Sequence, residues 1–276
     1  MTLPNALIIG PQKSGTTWIY KYLLLRNDIC LPGKVKETMF FDKNYNKKKE
    51  WYSNFFNPTK KSILTVEVAP TYFAKLDSAR RIYNALGKIQ LICTFRDPAD
   101  RCFSHYLHMR KYGMTACDDF LTAIDVHPEI IDCSRYALHL ERWIKLFGES
   151  SVLILFQDEL INNPIKYTKK ICKHLHIDWV KPDSALGGKV NAATLPKHYA
   201  MALAGQNISD WLRGIGLYSL VNIAKYLGLK AIFFNSKKNI PKINQKERFV
   251  VYDRLHSDIR NLECIISKDL SKWMNK

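Results

Sequence analysis

The chain has 276 residues, 47% hydrophobic and 24% charged, a balance that excludes a disordered or fibrous polymer and leaves material for one large α/β domain or two small ones. Its 42 lysines and arginines against 25 acids give a net charge of +17, which predicts attraction to polyanions: nucleic acid, acidic glycan, anionic lipid or a multiply charged nucleotide. Seven cysteines without a C-x-x-C pair exclude a disulfide framework, and no zinc-finger spacing, aromatic RNA-binding signature or basic-zipper heptad turns the charge toward nucleic acid. With no signal-peptide core after Met-Thr-Leu-Pro-Asn, this cysteine usage predicts a reducing compartment, the cytoplasm. No apolar run reaches spanning length. The nearest, residues 214–234, is broken by Asn222, Lys225 and Lys230, so it either packs on the domain as a helix or makes a peripheral membrane contact. No Pro/Gly/Ser-rich linker divides the chain, which reads as a single domain over 1–276: an α/β core over 1–178, then an irregular loop and helical tail over 179–276.

The apolar run Ala6, Leu7, Ile8, Ile9 stops at Gly10, and a helical pattern starts at Gly15 and runs over 16–25 with Trp18, Tyr22 and Leu25 on one side. Such a strand-to-helix turn binds anions. Gly15 lets the backbone approach a ligand, and the first N–H groups from Thr16 onward have no intrahelical partner. The candidate anion contacts are therefore Lys13, Ser14, Gly15, Thr16, Thr17 and Trp18. A nucleotide-triphosphate loop has Gly, four residues, Gly, Lys and then Ser or Thr. Here Gly10 and Gly15 keep that spacing, but Thr16 takes the lysine's place and the cation has moved to Lys13. That suits a ligand other than the β/γ-phosphates of ATP. Metal chemistry has no support either: no apolar strand ends in a metal-holding Asp, and His105 and His108 lack an acidic or cysteine partner in their pattern.

After a turn at Pro32-Gly33 comes Lys34-Val35-Lys36-Glu37-Thr38-Met39-Phe40-Phe41-Asp42, in which Glu37 is either a surface ion-pair partner or a base in a pocket walled by Phe40 and Phe41. Residues 62–68 alternate as a strand and lead into Glu67-Val68-Ala69-Pro70-Thr71-Tyr72-Phe73, where Glu67 is a site residue or a buried structural acid. A helix over 76–86 stopped by Gly87, then a strand over 88–95, implies a right-handed parallel crossover. Arg96 follows at the carboxyl end of that strand, where open α/β sheets bind ligands, and its guanidinium could grip a phosphate or pair with Asp97 or Asp100. Pro98 fits a first helical turn capped by Asp97, with Arg101 and Ser104 sharing a face. A helix over 134–147, an apolar strand over 151–156 and a helix reaching Leu175 complete an α/β fold, a P-loop-type central parallel sheet flanked by helices, with a helical C-terminal part. Residues 181–197, with Gly187-Gly188, could fold over a nucleotide and bring Lys197 to a phosphate.

Pro11-Gln12-Lys13-Ser14-Gly15-Thr16-Thr17 resembles the 5′-phosphosulfate loop of sulfotransferases that use 3′-phosphoadenosine 5′-phosphosulfate (PAPS). Glu37-x-x-Phe40-Phe41-Asp42, followed by Asn44-Tyr45 and Trp51-Tyr52, resembles the segment after that loop in heparan-sulfate-type enzymes, and Glu67-x-x-Pro70-x-Tyr72-Phe73 is similar to another of their segments. Arg96-Asp97-Pro98 with Ser104 resembles the family's 3′-phosphate motif, and the block around Tyr136 its last helix and strand; the tail resembles bacterial members in general pattern only. The resemblance implies a PAPS-dependent sulfotransferase that moves the sulfuryl group to a hydroxyl or amine of a carbohydrate or small secondary-metabolite acceptor. It would release 3′,5′-adenosine bisphosphate and require no metal. It assigns Glu37 as base, Lys13 to the transferring group, Arg96 and Ser104 to the 3′-phosphate, and Tyr136 to adenine, with Trp51, Tyr52, Tyr72 and Phe73 available to stack on an acceptor. One departure stands out: Val68 replaces a lysine these enzymes often carry, which Lys34 or Lys36 would have to replace. A P-loop small-molecule kinase and a non-catalytic binder of acidic glycan or membrane are the alternatives, and oligomeric state is left open.

Overall fold

A computed structural model describes residues 1–186, 195–196, 199–214, 216–218, 220, 223, 234–235 and 241–274. Five strands, β1 (Ala6–Gly10), β2 (Ile29–Cys30), β3 (Leu64–Val68), β4 (Gln90–Phe95) and β5 (Val152–Phe156), form a parallel sheet in the order β2-β3-β1-β4-β5. The expected α/β fold with a central parallel sheet is therefore present. The chain builds leftward from β1 to β3 and then rightward to β4 and β5, so β1 is the topological switch point. The loop leaving β1 therefore sits where such sheets take ligands.

The central strands are buried on both faces and mostly apolar. Ala6 to Ile9 are wholly buried, and β4 alternates nothing from Leu91 to Phe95. Helix α1 (Thr16–Leu24) packs Trp18, Ile19, Tyr22 and Leu23 on the sheet at one-turn spacing, alongside Ile8, Val66, Val68 and Ile92. Helix α9 (Pro164–His174) joins the same layer through Tyr167 and Ile171. Helices α3 (Ser78–Leu86) and α7 (Tyr136–Phe147) match the expected periodic segments to within two residues. At the start of α7, Asp258 accepts the Ala137 and Leu138 N–H groups at 3.1 Å each, closing donors that an arginine at the cap position leaves open.

The chain divides into two compact units, interleaved in sequence. The first comprises residues 1–98, 133–190 and 255–276 and holds the whole parallel sheet; the second comprises 99–132 and 191–254. Residues 179–276 contribute to both units. Helix α4 (Pro98–Lys111), in the second unit from Ala99 on, carries Arg101, wholly buried, whose guanidinium donates to the Ile130 carbonyl in α6 (Glu129–Asp132). Helix α10 (Tyr199–Gly214) meets the Gly113 turn of the same unit: a Cβ on Gly113, at φ +67°, would lie 2.7 Å from the Leu203 nitrogen, a backbone clash that keeps the position glycine. No helix among the described residues is long and apolar enough to cross a membrane.

Four phenols of the first unit are closed into this packing. Burial pushes the Tyr52, Tyr72 and Tyr167 hydroxyls up from the ordinary phenol value, and burial together with Cys172 pushes Tyr22 up to about 12. A phenol raised in the fold keeps its proton after the unfolded chain has begun to lose it near pH 10. Its contribution is complete below that pH and disappears as pH rises toward the folded value. These phenols should accordingly make denaturant midpoints fall as pH rises past about 10, with tyrosinate absorbance from them appearing only as the protein unfolds. Tyrosinate from them in still-folded protein near pH 10 would contradict the burial.

Candidate active site

The loop after β1 is shaped by two glycines and closed by its own carbonyls. Gly10, at φ +102°, lies against Pro70; a Cβ there would come within 2.5 Å of the Pro70 oxygen, so no other residue fits. Gly15 is the N-cap of α1 at φ +103°, supplies no side-chain cap, and is followed by a first turn without acids. Between them, Ser14 donates its hydroxyl to the Pro11 carbonyl, Thr94 Oγ1 donates to the Ser14 carbonyl at 3.1 Å, and Arg96 Nη1 donates to the Lys13 carbonyl at 3.4 Å. With three loop carbonyls turned into the protein, the groups offered at the helix start are N–H donors.

These bonds bring two of the sequence candidates together. Arg96, half-buried at the end of β4, touches the backbone of Lys13, itself half-buried at φ +69°. Tyr136 stands behind Arg96: it is 1% exposed, stacks on Phe95 at 4.5 Å between ring centroids, and donates its hydroxyl to the Arg96 carbonyl at 2.9 Å. Asp100, one of the two acids that could have neutralised Arg96, pairs with Arg248. Ser14 and Thr16 are buried, Thr17 is half-buried, and Trp18 is packed against Tyr22 and Tyr167 with its indole N–H on the Leu186 carbonyl at 2.7 Å. Ser104, half-buried on α4, belongs to the second unit, as does His105, which is 7% exposed beside Arg101. Lys197 lies outside the described residues.

Glu37 is held by what happens one residue later. Thr38 is bolted to Glu67 by its N–H and its hydroxyl, both at 2.7 Å from Oε1, while Tyr52 donates to Oε2 at 2.7 Å and Tyr72 at 3.2 Å. Tyr72 in turn accepts the Phe40 N–H at 3.0 Å, and Asn44 donates to the Thr38 carbonyl at 3.1 Å. Glu67 is wholly buried, a structural acid; burial pushes its pKa up, and the donors from Thr38, Tyr52 and Tyr72 pull the other way. Glu67 faces Leu7 in the β3–β1 register, so the segment carrying Glu37 is fixed to the strand next to β1. Glu37 itself keeps a fifth of its side chain exposed and pairs with Lys36 at 2.6 Å.

Several expectations change at this point. Phe40 and Phe41 are core, not pocket wall: Phe40 stacks on Tyr52, Phe41 meets Tyr72 edge-on, and both are at most 1% exposed. Tyr52, Tyr72 and Phe73 are fully buried as well, two of them because Glu67 needs their hydroxyls, so only Trp51 of the four proposed stacking aromatics keeps exposed surface. Val68 points into the core with Ile8 and Ile92, and Lys36 is engaged by Glu37. One neighbour of the loop was missed from sequence: Gln157, whose amide nitrogen lies 3.6 Å from where a Cβ on Gly15 would sit. Its signal was its place, the first residue beyond the carboxyl end of an apolar parallel strand.

A glycine-shaped anion loop at the switch point of a parallel sheet, with an arginine from the adjacent strand end folded onto it, defines an α/β protein of the P-loop type. The sulfotransferase domain family matches residues 3–184, about two thirds of the chain, and the protein belongs to that family, the PAPS-dependent sulfotransferases. In Mus musculus, bifunctional heparan sulfate N-deacetylase/N-sulfotransferase 4 is 32% identical over 196 residues, covering 63% of this chain and 22% of that protein. Heparan sulfate glucosamine 3-O-sulfotransferase 3B1 of the same species is 30% identical over 177 residues, 61% of this chain and 45% of that one. The chain thus spans less than half the length of either relative. A sulfotransferase from Alicyclobacillus acidocaldarius shares the fold, with a TM-score of 0.70 over 99% of this chain and 100% of that one at 18% identity.

Proposed function

We propose that the protein transfers the sulfuryl group of PAPS to a hydroxyl or amine of a carbohydrate or small-metabolite acceptor. The observation that carries this reading is the loop itself: its carbonyls tied inward by Ser14, Thr94 and Arg96, its helix start free of acids, and its cation at Lys13. That donor set fits a singly charged sulfuryl group. N–H groups and one ammonium suffice to bind it, whereas a γ-phosphate bearing nearly two charges calls for the lysine after the second glycine and a magnesium ion. In this reading Gly15, Thr16 and Thr17 supply backbone N–H groups to the phosphosulfate, and Trp18 fixes the helix start. Lys13 holds the oxygen on which charge builds as the bond to sulfur breaks. Arg96 takes the ribose 3′-phosphate, with Tyr136 setting the Arg96 backbone from behind; Ser104 and Lys197 are assigned to phosphate by sequence alone.

Glu37 takes the proton from the acceptor as its oxygen or nitrogen attacks sulfur. The names of the heparan sulfate relatives and the net charge of +17 favour an acidic carbohydrate as acceptor, and seven free thiols suit the cytoplasm. The test is calorimetry. Adenosine 3′,5′-bisphosphate should bind without metal and ATP with magnesium should not, and Arg96→Ala should weaken the bisphosphate by about 10- to 100-fold, the worth of charge-assisted hydrogen bonds. Tight ATP–magnesium binding with no bisphosphate binding would replace this reading with a kinase. Radiolabelled PAPS offered to a panel of sugars, phenols and amines then identifies the acceptor.

A further inference from the structure

Helix α10 turns a face outward that a water-soluble helix would make polar. Among its described side chains the exposed positions are Ala204, Asn207, Ile208, Trp211 and Gly214, one stripe at helical spacing, in which Ile208 is 59% and Trp211 63% exposed. Beyond the turn at Gly216 the pattern continues: Leu217, Leu220 and Ile223 recur every third residue, each about half exposed. On the long helix Gln245–Ile266 of the same polypeptide, Phe249 is 71% exposed, one turn after an exposed Lys246. Five large apolar side chains within sixteen residues, one of them a tryptophan, are more than the scattered exposed apolar residues of an ordinary surface.

The charge of the neighbouring sequence decides the occupant of this stripe. From Lys225 to Lys246 there are six lysines and no acid. An apolar stripe with tryptophan, next to a basic run, is the composition of segments that lie in the plane of a bilayer, ring at the headgroup level and lysines among anionic lipids. A second copy of the chain is a poor occupant, because each copy carries a net charge of +17 and repels its like.

We propose that α10 and the apolar positions after it dock the protein peripherally on an anionic lipid surface. The docking is reversible: no described helix is of membrane-spanning character, and the apolar stripe alone has only five anchors. It is independent of the phosphosulfate loop, all of whose residues belong to the other unit.

The test is flotation of the full chain with vesicles of phosphatidylcholine alone and of phosphatidylcholine mixed equally with phosphatidylglycerol, at low and at moderate salt. Binding should be at least tenfold tighter to the anionic vesicles and should weaken as salt is raised. The charge-neutral pair Ile208→Ser with Trp211→Ser should lose tenfold or more, and Lys237→Gln with Lys238→Gln and Lys242→Gln should flatten the salt dependence. Unchanged adenosine 3′,5′-bisphosphate binding certifies that each variant is folded. Equal anionic-vesicle binding by the parent and the serine pair would reduce the effect to bulk charge and overturn the proposal. So would the absence of vesicle binding, or a concentration-dependent dimer of the parent that the serine pair abolishes.

Discussion

Lys13→Ala and Glu37→Gln are each expected to lower sulfuryl transfer by roughly 10²–10³, the usual cost of removing one group that meets charge as it develops. They should differ in what they do to the nucleotide. Lys13 lies on the loop with its carbonyl held by Arg96, so removing its ammonium takes a charge away from both the bound donor and its transition state, and bisphosphate affinity falls with turnover. Glu37 is fixed one residue from Thr38, on the segment tied to β3, and acts on the acceptor; glutamine keeps its shape and its contact with Lys36, and bisphosphate affinity stays within about twofold. Isothermal titration beside PAPS turnover separates the two. A Glu37→Gln enzyme that turns over normally assigns the base elsewhere, and an equal loss of nucleotide affinity in both variants would mean that the glutamate holds the loop and not the acceptor.

The parts of this site that could be read from sequence are those that depend on neighbours in the chain. Four apolar residues, a glycine and a second glycine five positions on fix a strand, a turn and a helix start, because strand and helix periods and the freedom of glycine are local properties. Arg96 was legible for the same reason, as the first charged residue after a mostly apolar strand. Glu67 could not be decided that way. Its partners Tyr72, Tyr52 and Thr38 lie 5, 15 and 29 residues away, and only the folded segment turns their donors to one carboxylate. The aromatics around it read as possible stacking surface because composition reports what a ring can do and not which way it faces. Strand β2 has two residues, too few to show a period, and it exists because Ile29 and Cys30 find Leu64 and Thr65 on the sheet edge. Gln157 carries no motif; its nearness to Gly15 follows from the strand order, which periodicity does not contain.

Glu67→Ala should cost about 3–5 kcal/mol of folding stability, the range for removing one partner from a buried charged network. The charge itself opposes folding, since burial pushes the carboxyl pKa up, and removing a charge from such a place would by itself be a gain. The donors decide the sign. Alanine leaves the Thr38 N–H and hydroxyl and the Tyr52 hydroxyl in a closed interior with their acceptor gone, and leaves a void where the carboxylate stood. Glutamine is the discriminating control: its carbonyl can still accept from Thr38, and its amide can donate to a tyrosine oxygen that rotates its own proton away, so about 1–2 kcal/mol is expected. Because the loosened segment is the one next to Glu37, Glu67→Gln should lower turnover by more than it lowers bisphosphate affinity. The loop carbonyls are held by Ser14, Thr94 and Arg96, which this substitution leaves alone. Urea midpoints for the two variants, read beside calorimetry and turnover, check each step. Midpoints for alanine and glutamine that coincide with that of the parent would mean that the Thr38 and tyrosine donors find water when the carboxylate leaves, and that Glu37 is positioned by something other than the acid beneath it.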